Sequence, residues 1–148
     1  MMTELTELYQ EVVLDHSKSP RNFHALADAS SDAEGYNPLC GDQVHVYVTV
    51  DGDQVSDVAF TGNGCAISKA SASMMTQAVK GRSRAETLKL FEAFHRLVTG
   101  ASSDTEELGK LAVFAGVSDY PVRVKCASLA WHTLKAALEG ARAPVTTE

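Results

Sequence analysis

Four residues of this 148-residue chain have types and spacings that suggest shared chemistry: Cys40, Asp42, Cys65 and Cys126. Cys40 and Asp42 lie two apart, so in an extended segment a thiolate and a carboxylate point to one face and make a two-point metal grip. Gly62 and Gly64 precede Cys65 and let the backbone bend closely around an ion. Cys65 and Cys126 both fall near predicted helix N-termini, where the helix dipole favours a thiolate. Three thiolates and a carboxylate suit tetrahedral zinc or an iron–sulfur cluster. Around Zn²⁺ the ionised set carries a formal excess of about −2, which Arg123 and Lys125, next to Cys126, are placed to offset. The chain has no Cys-x-x-Cys knuckle, and a single cysteine can equally be a small buried apolar group. Of the five histidines, His45 falls on the polar face of a predicted strand, and His16, His95 and His132 belong to predicted helices. His24, in the loop before Cys40, is the one histidine left as a competing ligand; a Cys–His nucleophilic pair would need a histidine held against Cys40, and the sequence gives no sign of one.

The elements that must position these residues can be read from periodicity. Leu5, Leu8, Tyr9, Val12 and Val13 recur at helical spacing over 3–17, with Thr3 as N-cap and Ser19-Pro20 as the stop. Residues 21–42 have weak periodicity and read mostly as loop. Val44, Val46, Val48 and Val50 alternate with polar neighbours as in a half-buried strand, and a second strand runs from about Gln54 to Thr61. Putting the valines on one face with Val58 and Phe60 pairs Val50 with Gln54, Val46 with Val58 and Val44 with Phe60, across a three-residue loop Asp51-Gly52-Asp53. Extended outward, this register sets Asp42 opposite Gly62 and Cys40 opposite Gly64, with Cys65 beside Cys40. Helices are predicted over 66–80, from Ser83 to Thr99 with a Ser83/Glu86 capping box, over about 105–115 with Asp104 as cap and Gly116 as stop, and from Pro121 to Gly140. Residues 141–148 read as a frayed tail. The pattern is one α+β domain spanning 1–148, a small antiparallel sheet with helices packed on one face.

Composition narrows the classes. A net charge of −6 and a pI near 5.3 disfavour nucleic acid and anionic membrane as partners. The acidic first twenty residues are unlike a signal peptide, and no apolar run approaches the ~18 residues of a membrane span. A soluble, intracellular protein is expected, with three thiols rather than a disulfide framework.

Several motifs occur together and in order: Leu14-Asp15-His16 followed by Ser19-Pro20-Arg21-Asn22; Cys40-Gly41-Asp42 entering a strand; Gly62-Asn63-Gly64-Cys65-Ala66-Ile67-Ser68 opening a serine-rich helix; and Val124-Lys125-Cys126-Ala127-Ser128-Leu129-Ala130. With them the chain resembles the IscU/NifU-N family of iron–sulfur assembly proteins over nearly its whole length, and within it the SufU-type branch. IscU-type proteins carry His-Cys at the third cysteine, where this chain has Lys125-Cys126. They also carry a Leu-Pro-Pro-Val-Lys chaperone-docking stretch, where this chain has Asp119-Tyr120-Pro121-Val122-Arg123-Val124-Lys125. The segment from Ser83 to Thr99 is similar to the insertion that SufU-type proteins carry. The resemblance implies zinc held by Cys40, Asp42, Cys65 and Cys126. It implies a cytoplasmic zinc-dependent sulfurtransferase whose Cys40 accepts persulfide sulfur from a SufS-type cysteine desulfurase and passes it toward a downstream iron–sulfur scaffold, with Arg123 as an assistant. A metal-bound thiolate is a quenched nucleophile, and the resemblance implies that a desulfurase histidine takes the place of Cys40 on the zinc. Two alternatives stand beside this: a scaffold that assembles a transient [2Fe–2S] cluster on the same residues, and a non-catalytic activator of the desulfurase that zinc only stabilises.

Overall fold

The computed structural model describes residues 4–38, 41–101, 108–140 and 145–146. Helix α1 (Glu4–Lys18) leads to strand β1 (Ser31–Asn37), then to the hairpin β2 (Asp42–Asp51) and β3 (Gln54–Asn63). Helices α2 (Ala66–Val79) and α3 (Arg84–Thr99), a 3-10 helix (Gly109–Asp119), helix α4 (Pro121–Glu139) and strand β4 (Val145–Thr146) complete the order. The sheet runs β3-β2-β1-β4; β1, β2 and β3 are antiparallel neighbours, and β4 pairs with β1 in parallel. Among the described residues, no helix is long and apolar enough to cross a membrane.

The sheet buries one face. Ala33, Val44, Val46, Val48, Val55, Val58 and Phe60 point into the core, against helices that include α2 and α4. Gly35 of β1 lies so close to α4 that a Cβ there would stand 2.1 Å from Thr133 Oγ1. Behind the helices, Phe94 of α3 stacks on Trp131 of α4 with ring centroids 4.6 Å apart, and Phe114 of the 3-10 helix meets Phe94 edge-on. Each such aromatic pair adds about 0.5–1.5 kcal/mol beyond the area it buries. Ser83 caps α3 with the expected capping box to Glu86, and Gly100 and Gly140 close α3 and α4 in the left-handed conformation.

The hairpin differs from its expected register, and the reason is physical. Its turn has two residues, not three: Asp51 pairs with Gln54, and Gly52 takes φ +64. A two-residue turn alone would slip the register by one and turn Val58 and Phe60 outward. A bulge absorbs the slip. Val50 pairs with Val55 and Thr49 with Asp57, leaving Ser56 as the extra residue. Beyond it Val48 faces Val58, Val46 faces Phe60 and Val44 faces Gly62, so the partners of Val46 and Val44 move by two residues, that of Val50 by one, and the valine face keeps its side.

Three other expectations change. Residues 31–37, read as loop, form β1, whose small inward residues (Ala33, Gly35, Asn37) have little strand propensity and are set by packing under α4. The helix expected near 105–115 is a 3-10 helix at Gly109–Asp119, with Gly116 inside it; Asp104 lies outside the described residues. In the expected tail, Val145–Thr146 pairs with Gly35 and Tyr36 at the sheet edge.

The first motif is a clamp. The His16 imidazole is buried and its Nδ1 lies 2.7 Å from Ser73 Oγ, which also accepts from the Arg21 backbone N–H at 2.8 Å. Burial holds His16 below its ordinary pKa, and the Arg21 charge adds to this. Asn22 Nδ2 donates to Thr76 Oγ1, and the Asn22 carbonyl accepts from Phe60 N–H, so the segment ties α1 to α2 and to β3.

Candidate metal centre

The hairpin's open end, the start of α2 and the second turn of α4 meet at one pole of the domain. Asp42 begins β2, Cys65 is the N-cap of α2 and Cys126 lies on α4, and one donor atom from each falls within 4.8 Å of the others. Three of the four expected ligands therefore converge from elements distant in sequence. Cys40 lies outside the described residues.

Each group is held by named partners. Asp42 is fully buried; its Oδ1 accepts from the Cys65 backbone N–H at 2.8 Å, and its Oδ2 stands 3.8 Å from Cys65 Sγ. The observed register explains this contact: with Gln43 opposite Asn63, Cys65 arrives beside Asp42. Gly64 makes room, since a Cβ there would stand 2.8 Å from Asp42 Oδ1. Gly62 is needed for a different approach, because its φ is +149 and a Cβ would meet Gln43 O at 2.2 Å.

Cys65 is exposed, and its Sγ accepts from the Ser68 backbone N–H at 3.4 Å, as a capping group does. Its pKa is lowered to about 7: the Cys126 thiol donates to it and the backbone amides of Ser68 and Ile67 point at it, while burial and the Asp42 charge oppose the shift. Cys126 is buried at 3 % exposure and accepts from Asn37 Nδ2 at 3.8 Å. The helix that carries it begins at Pro121 as expected, which puts Cys126 near, but not at, the N-terminus. With Pro121 as the first residue of α4, Cys126 is in the second turn, beyond the reach of the dipole's end charge. Asn37 was missed by sequence reasoning; the one available signal was Asn37-Pro38, a turn-initiating pair just ahead of Cys40.

The donors fit zinc. Bond lengths of about 2.3 Å to sulfur and about 2.0–2.2 Å to oxygen place tetrahedral ligand atoms about 3.5–3.8 Å apart. The Cys65 Sγ to Asp42 Oδ2 separation of 3.8 Å is close to that spacing, and the three donor atoms lie within 4.8 Å of one another. A carboxylate that is fully buried beside two thiols is otherwise a costly arrangement.

The remaining expected participants are placed elsewhere. Arg123 is exposed on the first turn of α4, with its guanidinium over the Tyr120 ring at 4.6 Å, and Lys125 is half-buried. Among the described residues, neither forms an ion pair with Asp42. His24 is exposed, its Nδ1 beside its neighbour Ala25 O, and His45 is engaged by Asp32 and Glu34 on the sheet's open face.

Comparison with known proteins shows the family. Residues 8–127 match the NifU-like N-terminal domain family. The chain is 44% identical over 139 residues to the iron–sulfur cluster assembly scaffold protein IscU of Streptococcus pyogenes, covering 93% of this chain and 87% of that one. It is 43% identical over 132 residues to the zinc-dependent sulfurtransferase SufU of Bacillus subtilis, covering 88% and 89%. A crystal structure from Fervidobacterium islandicum, described as an iron–sulfur cluster assembly scaffold protein for the SUF system, superposes with a TM-score of 0.84 at 38% identity, covering 89% of this chain and 97% of that one. The chain belongs to the NifU-like N-terminal domain family that includes IscU, in its SufU-type branch.

Proposed function

We propose that this chain is a cytoplasmic zinc-binding sulfur acceptor of iron–sulfur cluster assembly, which takes persulfide sulfur from a SufS-type cysteine desulfurase onto Cys40 and passes it to a downstream scaffold. The observation that carries the reading is the convergence of Asp42, Cys65 and Cys126, with Asp42 two residues along the chain from Cys40 and paired with Asn37, whose carbonyl accepts from Gly41 N–H at 2.8 Å. The B. subtilis relative's name, a zinc-dependent sulfurtransferase, supports it.

Cys40, Asp42, Cys65 and Cys126 would hold the zinc. Bound there, the ion keeps its cysteine ligands deprotonated and links the loop to two helices. For transfer, a free Cys40 thiolate attacks the terminal sulfur of the desulfurase's cysteine persulfide. A new S–S bond forms on Cys40 as the persulfide's S–S bond breaks, and the desulfurase cysteine leaves as a thiolate. The sulfane sulfur changes carrier with no net oxidation or reduction. Arg123, one turn ahead of Cys126, assists by pairing with the freed thiolate.

The test is mass spectrometry after incubation with a SufS-type desulfurase, pyridoxal phosphate and cysteine, without reductant. One sulfur added at Cys40, absent in Cys40→Ala, is the expected result. Faster cysteine turnover with no sulfur on any of the three cysteines would overturn it in favour of a zinc-stabilised activator. A second reading, a [2Fe–2S] scaffold on the same residues, is favoured by the names of the S. pyogenes and F. islandicum relatives. Anaerobic reconstitution with iron and sulfide giving a stable visible chromophore would support that reading.

A further inference from the structure

We propose that Asn37 is a positioning residue that couples the Cys40 loop to the Cys126 ligand through two separate bonds. The inference rests on the metal-site reading above and extends it to a side chain outside the ligand set.

Asn37 is the last residue of β1 and is fully buried, in a register position where Ala33 and Gly35 show the same inward face. A primary amide buried at the end of a strand is a cost unless its polar atoms are used. Here both the backbone and the side chain are used, in different directions. The Asn37 carbonyl accepts from the Gly41 N–H at 2.8 Å and so closes the loop that carries Cys40. The side-chain Nδ2 donates to Cys126 Sγ at 3.8 Å. Across the ladder Asn37 pairs with Asp42, a third member of the set. One residue thus touches the loop, pairs with the aspartate and bonds the buried cysteine, without itself being a ligand.

The chemistry follows from the donor. An N–H directed at sulfur stabilises the thiolate over the thiol and fixes the direction of its remaining lone pairs. It also spreads part of the negative charge of a three-thiolate set, in a place where Arg123 and Lys125 form no ion pair with the buried Asp42. Outer partners of this kind commonly change metal affinity by about 10–100-fold when removed.

The experiment uses the full chain, reduced and stripped of metal. Asn37→Leu keeps the branched shape and removes the donor; Asn37→Ala removes the side chain. Both retain the backbone carbonyl, so loop closure is untouched. Zinc affinity is measured by competition with a chromophoric chelator, and Co²⁺ replaces zinc to read the sulfur-to-metal charge-transfer band. The expected result is a loss of about 10–100-fold in zinc affinity and a shift of that band to longer wavelength, since a thiolate without its hydrogen bond gives up electrons more readily. A variant whose metal-free circular dichroism matches the parent, with parental affinity and an unmoved band, overturns the proposal. If neither variant folds, the unmutated chain loaded with ¹¹³Cd²⁺ decides it. Scalar coupling between the cadmium and an Asn37 side-chain amide proton is then expected, and its absence overturns the proposal. The parent's own titration separates the two readings: no stoichiometric metal in the parent defeats the metal site itself, whereas parental binding unchanged by the substitutions defeats only the role of Asn37.

Discussion

Gly64→Ala tests the site without touching a ligand. The added Cβ would stand 2.8 Å from Asp42 Oδ1, 3.2 Å from Cγ and 3.3 Å from Cβ, against an ordinary contact of 3.4–4 Å. The backbone of Gly64 is outside the left-handed region, so alanine strains nothing there and the effect must pass through Asp42. The carboxylate has to move by roughly half an ångström, and it is buried, with its Oδ1 fixed by the Cys65 N–H at 2.8 Å. Overpacking of this size costs about 1–3 kcal/mol, and weakening a hydrogen bond to a charged group forfeits part of about 1.5–3 kcal/mol. A displaced ligand transmits that cost to metal binding, and each 1.4 kcal/mol is tenfold in affinity. A fall of about ten- to a hundredfold in zinc affinity is expected, read by chelator competition under reducing conditions with circular dichroism of the metal-free protein as the check on folding. Gly116→Ala is the control, because its Cβ meets nothing within 4 Å, and it should leave zinc affinity unchanged. A folded Gly64→Ala protein with the parent's zinc affinity would refute the placement of Asp42 against Gly64.

Two further predictions concern groups around the site. In metal-free protein, alkylation of Cys65 should rise as pH passes about 7, instead of near the ordinary thiol value of 9.0, and should move back upward in Cys126→Ala, which removes the main donor. Because this acid's pKa is depressed by folding, its contribution to stability is present above the unfolded pKa and is lost as pH falls through about 7; an alkylation midpoint near 9 in the parent would contradict the geometry. Ser71→Ala should destabilise the fold by about 1–3 kcal/mol, because the buried Ser71 Oγ accepts from Trp131 Nε1 at 3.1 Å and donates to Ala127 O at 2.5 Å. Urea unfolding followed by Trp131 fluorescence measures it, and an unshifted midpoint would count against that bond.

Much of the fold was legible because its signals are local. Val44 to Val50 alternate, Ser83 and Glu86 stand at capping-box spacing, and Pro121 and Gly140 bracket α4. Strand β1 was not legible, because Ala33, Gly35 and Asn37 are chosen for fitting under α4 rather than for strand propensity. The hairpin register failed for a related reason. The parity of the apolar face is written in the sequence, but the two-residue turn and the bulge at Ser56 each shift the partners by one, so beyond the bulge parity is kept while partners move by two, and the pattern cannot reveal it. At the site, the convergence of Asp42, Cys65 and Cys126 was anticipated from residue type and motif. The amide of Asn37 was not, because nothing about an asparagine ahead of a proline says that its side chain reaches a cysteine 89 residues away.

The bonds around the ligands bear on how the site can act. Asp42 is held by Cys65 N–H, Cys65 by Ser68 N–H and Cys126 by Asn37 Nδ2, so each of the three has a protein donor that fixes its direction. On the proposed zinc reading, the pole takes its shape from the domain around it, whereas small zinc domains fold only on binding metal. The extended apolar core behind it, from Val46 and Phe60 through Trp131 and Phe94, supplies the rigidity. Metal should therefore raise the melting temperature by linkage while the metal-free chain stays folded. On the proposed reading Cys40 is the ligand that changes partners, and Asn37 and Asp42, on either side of it in the chain, pair across the sheet. That division suits the role proposed for Cys40, zinc ligand at one moment and nucleophile at another. Chelator treatment that unfolded the chain outright, seen as loss of its helical circular dichroism, would refute the reasoning that the apolar core, and not metal, holds these groups together.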